Sequence, residues 1–533
     1  MADRWLLIGC AAVVLVATAL RVMPMRAGLP YSDYIDEGYG LSQVIDHLNT
    51  GSLHCRWYGY PTVTSYLIAA AAELAAPVYR LTHGRSLHDD LPKDVDRYVA
   101  LGLDYNLISP PEVILVGRAV IVLASLLTVV LAWQFGRLIG GAATGLIAML
   151  LTAMCPALVV RSSNVIVDTM ATLFALLAVY FAERLRRAWT NEAGIPWREA
   201  AFAGIAAGLA LSSKYSVGAV FVGVALTIAL APAGVAQKLL CLAGSSACAV
   251  AAALAANPAF FLHPDIIAYD MRHTGILYRT LRLPPNYWGA AISTKELGIP
   301  LVTAGLAGIA LMLMRPATRA TAAAWLAVAV AMLIPLVPLS FQPFRNLLPL
   351  VPLICIAAAV LLTLPRQMVR GWNPPAAFRP ALIGSAVVLA AFCAVSSARQ
   401  VRERAAHIDT RVEAVDWIAR NTEPGARILA LDEVAVLPTE WTRSGRRVEV
   451  VPWLDAFKRL EHEEFSYIVG GEMNIREAIE PEWAPHLERW RSYVAPLPIA
   501  ATFGEVRTPV YPYLWRTNHE RIIVWKLRDA PPR

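Results

Sequence analysis

The chain has 533 residues, of which 57% are hydrophobic and only 16% are charged, and its mean hydropathy is +0.50. About one quarter of the residues are charged in an ordinary soluble domain, so this composition excludes a soluble protein and predicts a polytopic membrane protein. The net charge is +7, but the basic residues lie in small groups between apolar runs. Such groups are typical of membrane topology, and we expect no nucleic-acid partner.

A helix needs about 20 mostly apolar residues to cross a bilayer. Runs that approach this length lie at 5–23, 61–80, 114–136, 142–160, 168–184, 200–213, 216–232, 239–256, 297–314, 321–339, 347–364 and 380–397. If 61–80 crosses the bilayer, the Arg-rich loops after it fall on the outside and break the positive-inside rule. We therefore predict a juxtamembrane or re-entrant helix at 61–80, about eleven spans, an inside N-terminus and an uncleaved first helix.

This topology makes 24–113 and 257–296 long outer loops of a membrane domain that covers 1–397. The segment 398–533 lacks apolar runs of spanning length and has the composition of a soluble protein. Its patterns predict a helix at 409–421 and strands at 427–431, 447–451, 465–469 and 521–527. We expect a small α/β domain on the outer side of the membrane.

Three carboxylates, Asp33, Asp36 and Glu37, follow the first apolar run within the first outer loop. Acidic side chains are costly near hydrocarbon, so a cluster at the membrane edge indicates a function. Such a cluster can act as a general base, bind a cation or carry protons. Alternatively, Asp36 and Glu37 only stabilise the start of a helix near Gly38, because acids favour first turns.

Further polar residues fall on the same predicted side, namely Arg161, Asp168, Lys214 and Arg345. Cations of this kind suit a phosphate, and carboxylates suit the activation of a hydroxyl group. Three of these residues also have a structural alternative. Asp168 can cap a helix, Lys214 can extend to the membrane interface, and Arg345 can anchor a span boundary.

The other candidate ligands give weaker patterns. Tyr278, Tyr287 and Trp288 suit either an aromatic belt at the membrane interface or a platform for sugar stacking. His263 and His273 can be metal ligands or ordinary surface histidines. The cysteines show no metal-binding spacing, and the sequence cannot decide whether Cys55 and Cys155, both predicted on the outer side, form a disulfide. A divalent metal is therefore not supported by the sequence.

The motifs, taken in order, resemble those of integral-membrane GT-C glycosyltransferases of the protein O-mannosyltransferase and aminoarabinose-transferase type. The resemblance covers about residues 1–400. It rests on these segments: Asp36-Glu37, Tyr58-Gly-Tyr60-Pro61, Gly117-Arg118-Ala119, Phe135-Gly136-Arg137-Leu138-Ile139-Gly140, Arg161-Ser-Ser-Asn-Val-Ile-Val-Asp168, Gly204, Gly208-Leu-Ala-Leu-Ser-Ser-Lys214-Tyr, Asn257-Pro258 and Phe344-Arg345-Asn346-Leu-Leu-Pro349. The chain departs from the pattern in the 83–112 insertion and in Asn346, where an aromatic residue is common.

The resemblance implies the GT-C fold and an inverting transfer of sugar from a polyprenyl-phosphate donor to a hydroxyl group of a glycolipid, polysaccharide or protein. It implies a multi-pass protein of the inner (plasma) membrane, with the active site and C-terminal domain on the periplasmic or extracellular side. It assigns the general base to Asp36, supported by Glu37. The remaining implied roles are donor-phosphate binding by Arg345, Lys214 and Arg161, orientation of the acceptor or a cation by Asp168 and Asp33, and sugar or lipid contact by Tyr60, Tyr287 and Trp288.

Two other classes of function are compatible with membrane-edge carboxylates. A secondary transporter or lipid flippase would use them to couple ions, and it would carry acids in mid-span and repeat symmetry, neither of which the sequence shows. A non-catalytic scaffold or receptor would bind a partner through the C-terminal segment and would tolerate the loss of Asp36.

Overall fold

The computed structural model describes residues 2–31, 35–55, 57–92, 110–191, 194–280, 287–340, 342–363, 378–406, 408–431, 434, 438–471, 484–504 and 521–527. Within these ranges the chain is mostly helical up to residue 421 and mixed α/β after it. Asp33, one of the three acids of the first outer loop, lies outside the described residues.

Each apolar run of the sequence overlaps a helix of the described chain, and further helices lie between the runs. Those before residue 410 are Ala2–Val22, Ile35–Thr50, Val63–His83, Leu87–Asp90, Pro111–Gly140, Ala142–Met154, Pro156–Arg161, Val167–Asn191, Trp197–Ser213, Val220–Ala229, Val235–Ala256, Ala259–Leu262, Pro264–Thr280, Tyr287–Ile292, Gly298–Met314, Pro316–Leu333, Val351–Leu362 and Phe378–Ala405. Short 3₁₀ helices lie at Met23–Arg26, Tyr215–Ala219 and Phe344–Leu350.

Six helical stretches in the described chain are long and apolar enough to cross a membrane, and Ala142–Met154, Tyr215–Ala229 and Gly298–Met314 are shorter apolar helices. The six are Leu6–Arg26, Pro111–Gly140, Val235–Ala256, Pro316–Leu333, Phe344–Leu362 and Pro380–Asn421. These helices confirm the prediction of a polytopic α-helical membrane protein.

The predicted span at 142–160 is interrupted at Cys155. The helix Ala142–Met154 ends there, and a second helix, Pro156–Arg161, begins at the next residue. Cys155 has an extended backbone (φ −63°, ψ 121°) because the ring of Pro156 disfavours the helical conformation of the residue before it. Arg161 is the last residue of the short helix that follows the break.

Close helix packing relies on glycine at several points. A Cβ atom on Gly204 or Gly208, in the helix Trp197–Ser213, would overlap the carbonyl oxygens of Ser245 and Ala249 in the helix Val235–Ala256. Small residues four apart allow two helix backbones to approach in this way within a bilayer. The Gly204 and Gly208 positions of the sequence motif therefore serve helix packing.

The described residues of the C-terminal segment form a mixed five-stranded sheet with the order β2-β1-β3-β5-β4. The strands are β1 Arg427–Leu431, β2 Arg447–Val451, β3 Tyr467–Gly471, β4 Ile499–Phe503 and β5 Ile522–Lys526. β1 pairs in parallel with β2 and β3, while β5 runs antiparallel to β3 and β4. Helices at Thr410–Asn421, Pro438–Arg443, Trp453–His462 and Ala484–Val494 complete this α/β region, as the sequence predicted.

Two features of the sheet differ from the sequence prediction. β3 begins at Tyr467, two residues later than expected, because its ends are set by pairing with β5 from Tyr467–Lys526 to Gly471–Ile522. β4 was not predicted, since its sequence Ile-Ala-Ala-Thr-Phe is rich in alanine and has little strand preference. Partner strands, which a single segment does not reveal, determine both features.

The described chain divides into two compact units. The first consists of Met1–Met25, Leu53–Ala70 and Arg118–Ala405, and the second of Arg26–Ser52, Ala71–Gly117 and Ala406–Arg533. The second unit thus combines parts of the predicted first outer loop with the C-terminal α/β region. The predicted domain boundary between 397 and 398 falls inside the helix Phe378–Ala405. The first unit ends at Ala405, the last residue of this helix, and the chain after it belongs to the second unit.

Candidate functional site

Three motif segments meet at the side chain of Lys214 in the first unit. The Nζ atom donates to Oδ1 of Asp168 at 2.5 Å and to Oδ1 of Asn346 at 2.7 Å. Lys214 is largely buried, and Asp168 and Asn346 are almost fully buried. A buried ammonium group needs such partners, because removing its charge from water is costly. The structure therefore brings together Asp168 and Lys214, two of the residues that the sequence singled out.

Local backbone structure places each member of this cluster. Lys214 ends the helix Trp197–Ser213 with an extended backbone (φ −155°, ψ 122°), and its amide still donates to the carbonyl of Ala210. Asp168 lies in the first turn of the helix Val167–Asn191, where a carboxylate is also favoured by the helix dipole. Asp168 therefore lies at a helix start, as its structural alternative expects, and takes part in the ion pair as well. The alternative for Lys214, extension to the membrane interface, stays a prediction.

Arg345 lies beside Asn346 in the 3₁₀ helix Phe344–Leu350, and only 7% of Arg345 is exposed. Pro349 lies inside this short helix and offers no backbone N–H group. The sequence Phe-Arg-Asn-Leu-Leu-Pro therefore places an arginine and the asparagine that contacts Lys214 on adjacent positions of one tight helix. Arg345 is thus a buried cation that immediately precedes Asn346, the asparagine bonded to Lys214.

Arg161 has a carboxylate partner that sequence reasoning did not find. Its Nη1 and Nη2 atoms donate to the two carboxylate oxygens of Glu296, both at 2.6 Å, and its guanidinium carbon lies 5.8 Å from the ring centroid of Phe344. Two parallel hydrogen bonds of this kind are among the stronger pairs in proteins. Glu296 lies in the predicted outer loop 257–296, which gave no signal that this acid would pair with Arg161.

Arg404, near the end of the helix Phe378–Ala405, fixes the turn that follows Arg161. Its guanidinium group donates to the carbonyls of Val160 and Ser163, to Oγ of Ser163 at 2.6 Å and to Oδ1 of Asn164. Only 2% of Arg404 is exposed. Ser163 and Asn164 of the motif thus accept hydrogen bonds from an arginine more than 200 residues later, which sequence alone could not show.

The aromatic stretch around Tyr60 is anchored through its neighbour Tyr58. The amide of Tyr58 donates to Oδ2 of Asp270 at 2.6 Å, and its carbonyl accepts from the hydroxyl of Tyr215 at 2.8 Å. Burial raises the pKa of the Tyr58 phenol above its ordinary value, so this group stays protonated. Tyr60 itself is half-buried and packs edge-on against Trp57, with 5.2 Å between ring centroids.

His263 packs against His54, with 4.5 Å between the ring centroids, and Nδ1 of His54 lies 3.0 Å from the Tyr58 hydroxyl. Within the described ranges, no group of three or more His, Cys, Asp or Glu side chains is arranged to hold a metal ion. Cys55 and Cys155, the pair that the sequence left open, both carry free thiols.

Asp36 and Glu37, the two described acids of the first-loop cluster, belong to the second unit. Asp36 and Glu37 lie in the first turn of the helix Ile35–Thr50, with 8% and 0% of their surface exposed. Their position agrees with the alternative in which acids only stabilise a helix start. An acid with only that role can remain in water, however, whereas both of these side chains are buried. Tyr287 and Trp288 begin the helix Tyr287–Ile292, and their side chains are outside the described part of the structure.

Residues 111–260 match the family model described as dolichyl-phosphate-mannose-protein mannosyltransferase. None of the curated proteins matches the chain. Among solved structures, the chain is similar to ArnT from Cupriavidus metallidurans bound to undecaprenyl phosphate, at 14% identity and a TM-score of 0.58 over 100% of both chains. It is also similar to the oligosaccharyltransferase AglB from Archaeoglobus fulgidus in complex with an inhibitory peptide and a dolichol-phosphate.

The likeness to AglB has 13% identity and a TM-score of 0.55, and it covers 95% of this chain and 75% of that chain. At this level of identity a structural likeness shows the fold, and a fold alone does not assign a reaction. The family match covers the segment that contains Arg161, Asp168 and Lys214. The chain is a polytopic membrane protein with the GT-C fold, as its sequence motifs predicted.

Proposed function

We propose that this protein is an inverting membrane glycosyltransferase, which transfers a sugar from a polyprenyl-phosphate donor to a hydroxyl group on the outer face of the plasma membrane. The observation that carries the proposal is the meeting of Asp168, Lys214 and Asn346, because it unites three motif segments of the resemblance at one buried cluster. The family match over 111–260 and the GT-C fold support the same reaction class.

In this reaction the donor phosphate is the leaving group. The bond between the anomeric carbon and the phosphate oxygen breaks, and its electron pair leaves with the polyprenyl phosphate. A fixed cation stabilises the negative charge that develops on this oxygen. We assign this role first to Arg345, since a planar guanidinium group matches the geometry of a phosphate and is always charged.

Lys214 and Arg161 have different parts in this proposal. Each is paired with a carboxylate, Asp168 and Glu296 respectively, so each pair adds little net charge. We propose that Lys214 contributes a directed N–H donor near the phosphate, while Arg161 holds the loop that contains Glu296. Asp168 then orients Lys214, and the earlier assignment of Asp168 to the acceptor or a cation stays a prediction.

On the acceptor side, we assign the general base to Asp36. Its carboxylate removes the proton of the acceptor hydroxyl while that oxygen forms the new bond to the anomeric carbon, which inverts the configuration there. Glu37, which is fully buried beside it, supports the position of Asp36. A base of this kind contributes about 10²–10⁴-fold to the rate. Tyr60, Tyr287 and Trp288 remain predicted contacts for the sugar or lipid.

The proposal is tested with the purified full-length chain in lipid nanodiscs. Synthetic undecaprenyl-phosphate hexoses and pentoses are supplied with a mixture of glycolipid, glycan and peptide acceptors, and released undecaprenyl phosphate is measured by mass spectrometry. We expect release with at least one donor and a product of inverted anomeric configuration. No release with any donor, from protein that unfolds cooperatively and is therefore folded, would contradict the proposed reaction.

A further inference from the structure

Asp409 and Arg411 form a buried ion pair at the start of the helix Thr410–Asn421. The Nε atom of Arg411 donates to Oδ1 of Asp409 at 2.8 Å, and Nη2 donates to Oδ2 at 2.6 Å. The backbone amide of Arg411 also donates to Oδ1 at 2.9 Å, so the same carboxylate caps the helix. These three bonds fix the plane of the guanidinium group relative to the helix.

The guanidinium group of Arg411 lies over the ring of Tyr31. The guanidinium carbon is 3.9 Å from the centroid of the Tyr31 ring, and Tyr31 is completely buried. An arginine over the face of an aromatic ring is attracted by the negative charge of that face, most strongly where water is excluded. Arg411 therefore holds a ring that belongs to a part of the chain nearly 400 residues earlier.

Tyr31 belongs to the short segment Pro-Tyr-Ser-Asp-Tyr-Ile-Asp-Glu and precedes the helix Ile35–Thr50 by a few residues. Asp36 and Glu37 lie in the first turn of that helix. Tyr31 therefore precedes Asp36 by only five positions in the sequence. Both ends of the link, Tyr31 with Asp36 and Asp409 with Arg411, belong to the second unit.

We propose that Tyr31 and Arg411 are positioning residues for the general base Asp36, with Asp409 fixing Arg411. The inference rests on the proposed function for the identity of the base. Under this proposal the C-terminal region contributes to catalysis. Its first helix supplies Arg411, and Arg411 positions the segment that contains Asp36. We call Tyr31, Asp409 and Arg411 the stacking clamp.

The physical reason is the precision that base catalysis needs. A misplacement of about 1 Å at the reacting group can cost about 10²-fold in rate. A planar cation held by two hydrogen bonds restricts the tilt and the translation of a ring stacked upon it. An aliphatic contact in the same place would bury the ring equally well and would not fix its orientation.

The decisive variants alter the ring and leave the buried ion pair intact. Tyr31→Phe keeps the ring face, whereas Tyr31→Leu removes it. In the undecaprenyl-phosphate sugar assay we expect Tyr31→Phe to keep kcat within about twofold, and Tyr31→Leu to lower kcat about 10- to 100-fold with an unchanged KM for the donor. Equal kcat values for Tyr31→Leu and the parent, or an equal loss in both variants, would overturn the clamp.

Arg411→Lys keeps the charge and removes the planar fork, so we expect it to lower kcat in the same direction as Tyr31→Leu. If Tyr31 and Arg411 act through one contact, the double variant Tyr31→Leu/Arg411→Lys should lose no more kcat than the more severe single variant. Fully multiplicative losses would show independent roles and contradict the proposal. Arg420→Ala is the matched control, because Arg420 is an exposed arginine on the same helix and bonds to the carbonyl of Asp416.

A second readout does not depend on turnover. Backbone amide exchange is measured over Ile35–Thr50 in the parent protein, Tyr31→Leu and Arg420→Ala. The clamp predicts faster exchange in the first turns of this helix for Tyr31→Leu alone, at an unchanged unfolding temperature of the whole protein. Unchanged exchange in Tyr31→Leu would reject the clamp.

The two readouts separate the failure of the inference from the failure of the proposed function. If the parent protein turns over no lipid-linked sugar, the proposed reaction fails, and the catalytic part of the clamp fails with it. Exchange over Ile35–Thr50 still decides whether the Tyr31 ring orders this helix. If the parent protein is active and Tyr31→Leu is as active, only the clamp fails.

Discussion

The Nζ atom of Lys214 lies 2.5 Å from Oδ1 of Asp168, and the two residues are 46 positions apart in the chain. The same Nζ atom reaches Asn346, which is 132 positions away. One ammonium group thus ties together the end of one helix, the start of another and a 3₁₀ helix. This arrangement gives Lys214 a structural part as well as the proposed part in phosphate binding, and the two can be separated.

Lys214→Met should leave the Asp168 carboxylate buried without its cation and destabilise the protein by about 3–5 kcal/mol. The double variant Asp168→Asn/Lys214→Met removes both charges, and we expect it to recover most of that stability. Because the N–H donor stays absent, sugar transfer should remain low in the double variant. Thermal unfolding and the transfer assay are measured on the same preparations. Recovery of both stability and activity would mean that the cluster is only structural.

Replacing Arg345 should act on the donor. Arg345→Gln removes the charge, so we expect the dissociation constant for undecaprenyl phosphate to rise about 10- to 100-fold, as for the loss of about 1.5–3 kcal/mol from a charged hydrogen bond. Arg345→Lys keeps the charge, so its dissociation constant should lie between those of the parent protein and Arg345→Gln. Binding is measured by titration in nanodiscs. Equal affinities for all three proteins would remove Arg345 from the donor site.

Asp36→Asn should lower kcat by about 10²–10⁴-fold, because the amide cannot accept the proton of the acceptor hydroxyl. The donor affinity should not change. Asp46→Asn provides the control, since Asp46 is another buried acid on the same helix. A comparable loss in Asp46→Asn would indicate that replacing any buried acid of this helix impairs the protein. A kcat of Asp36→Asn equal to that of the parent would disprove the base assignment.

Gly208→Ala should destabilise the membrane region, because the new Cβ atom meets the carbonyl oxygen of Ala249. Overpacking of this kind costs about 1–3 kcal/mol. Gly384 is a helical glycine with no heavy atom within 4 Å of an added Cβ. Gly384→Ala should therefore be neutral, or stabilising by up to about 1 kcal/mol through helix preference. Thermal unfolding of the two variants side by side measures the difference.

The proposed outer location of the loop 24–113 and of the C-terminal region is tested by cysteine accessibility. Ser52, Asn421 and Arg137 are exposed residues, of which the first two lie on the predicted outer side and the third on the inner side. Ser52→Cys and Asn421→Cys should react with a membrane-impermeant maleimide on intact cells. Arg137→Cys should react only after permeabilisation. The parent protein, with its own cysteines, supplies the background, and labelling of Arg137→Cys alone would invert the topology.

Much of the helical scaffold follows from the sequence because a long apolar run has few alternatives to a helix in a bilayer. The helix Val235–Ala256 is one example, predicted at 239–256. The helix at 409–421 also follows, since Asp409 is a favoured N-cap residue and the run ends before Pro424-Gly425. The break at Cys155 was readable in principle from Pro156, but the apolar run concealed it.

The sequence by itself determined the class of protein, the order of its helices and the residues that carry unusual charge. Composition and periodicity suffice for this because they depend on whether a segment is surrounded by lipid, water or protein. Tertiary structure alone decided the partners of those charges: Glu296 for Arg161, Asn346 for Lys214, and Tyr31 for Arg411. Such pairs join segments that are far apart in the chain. A hydrogen bond depends on distances of a few ångströms, and only the packed fold sets them.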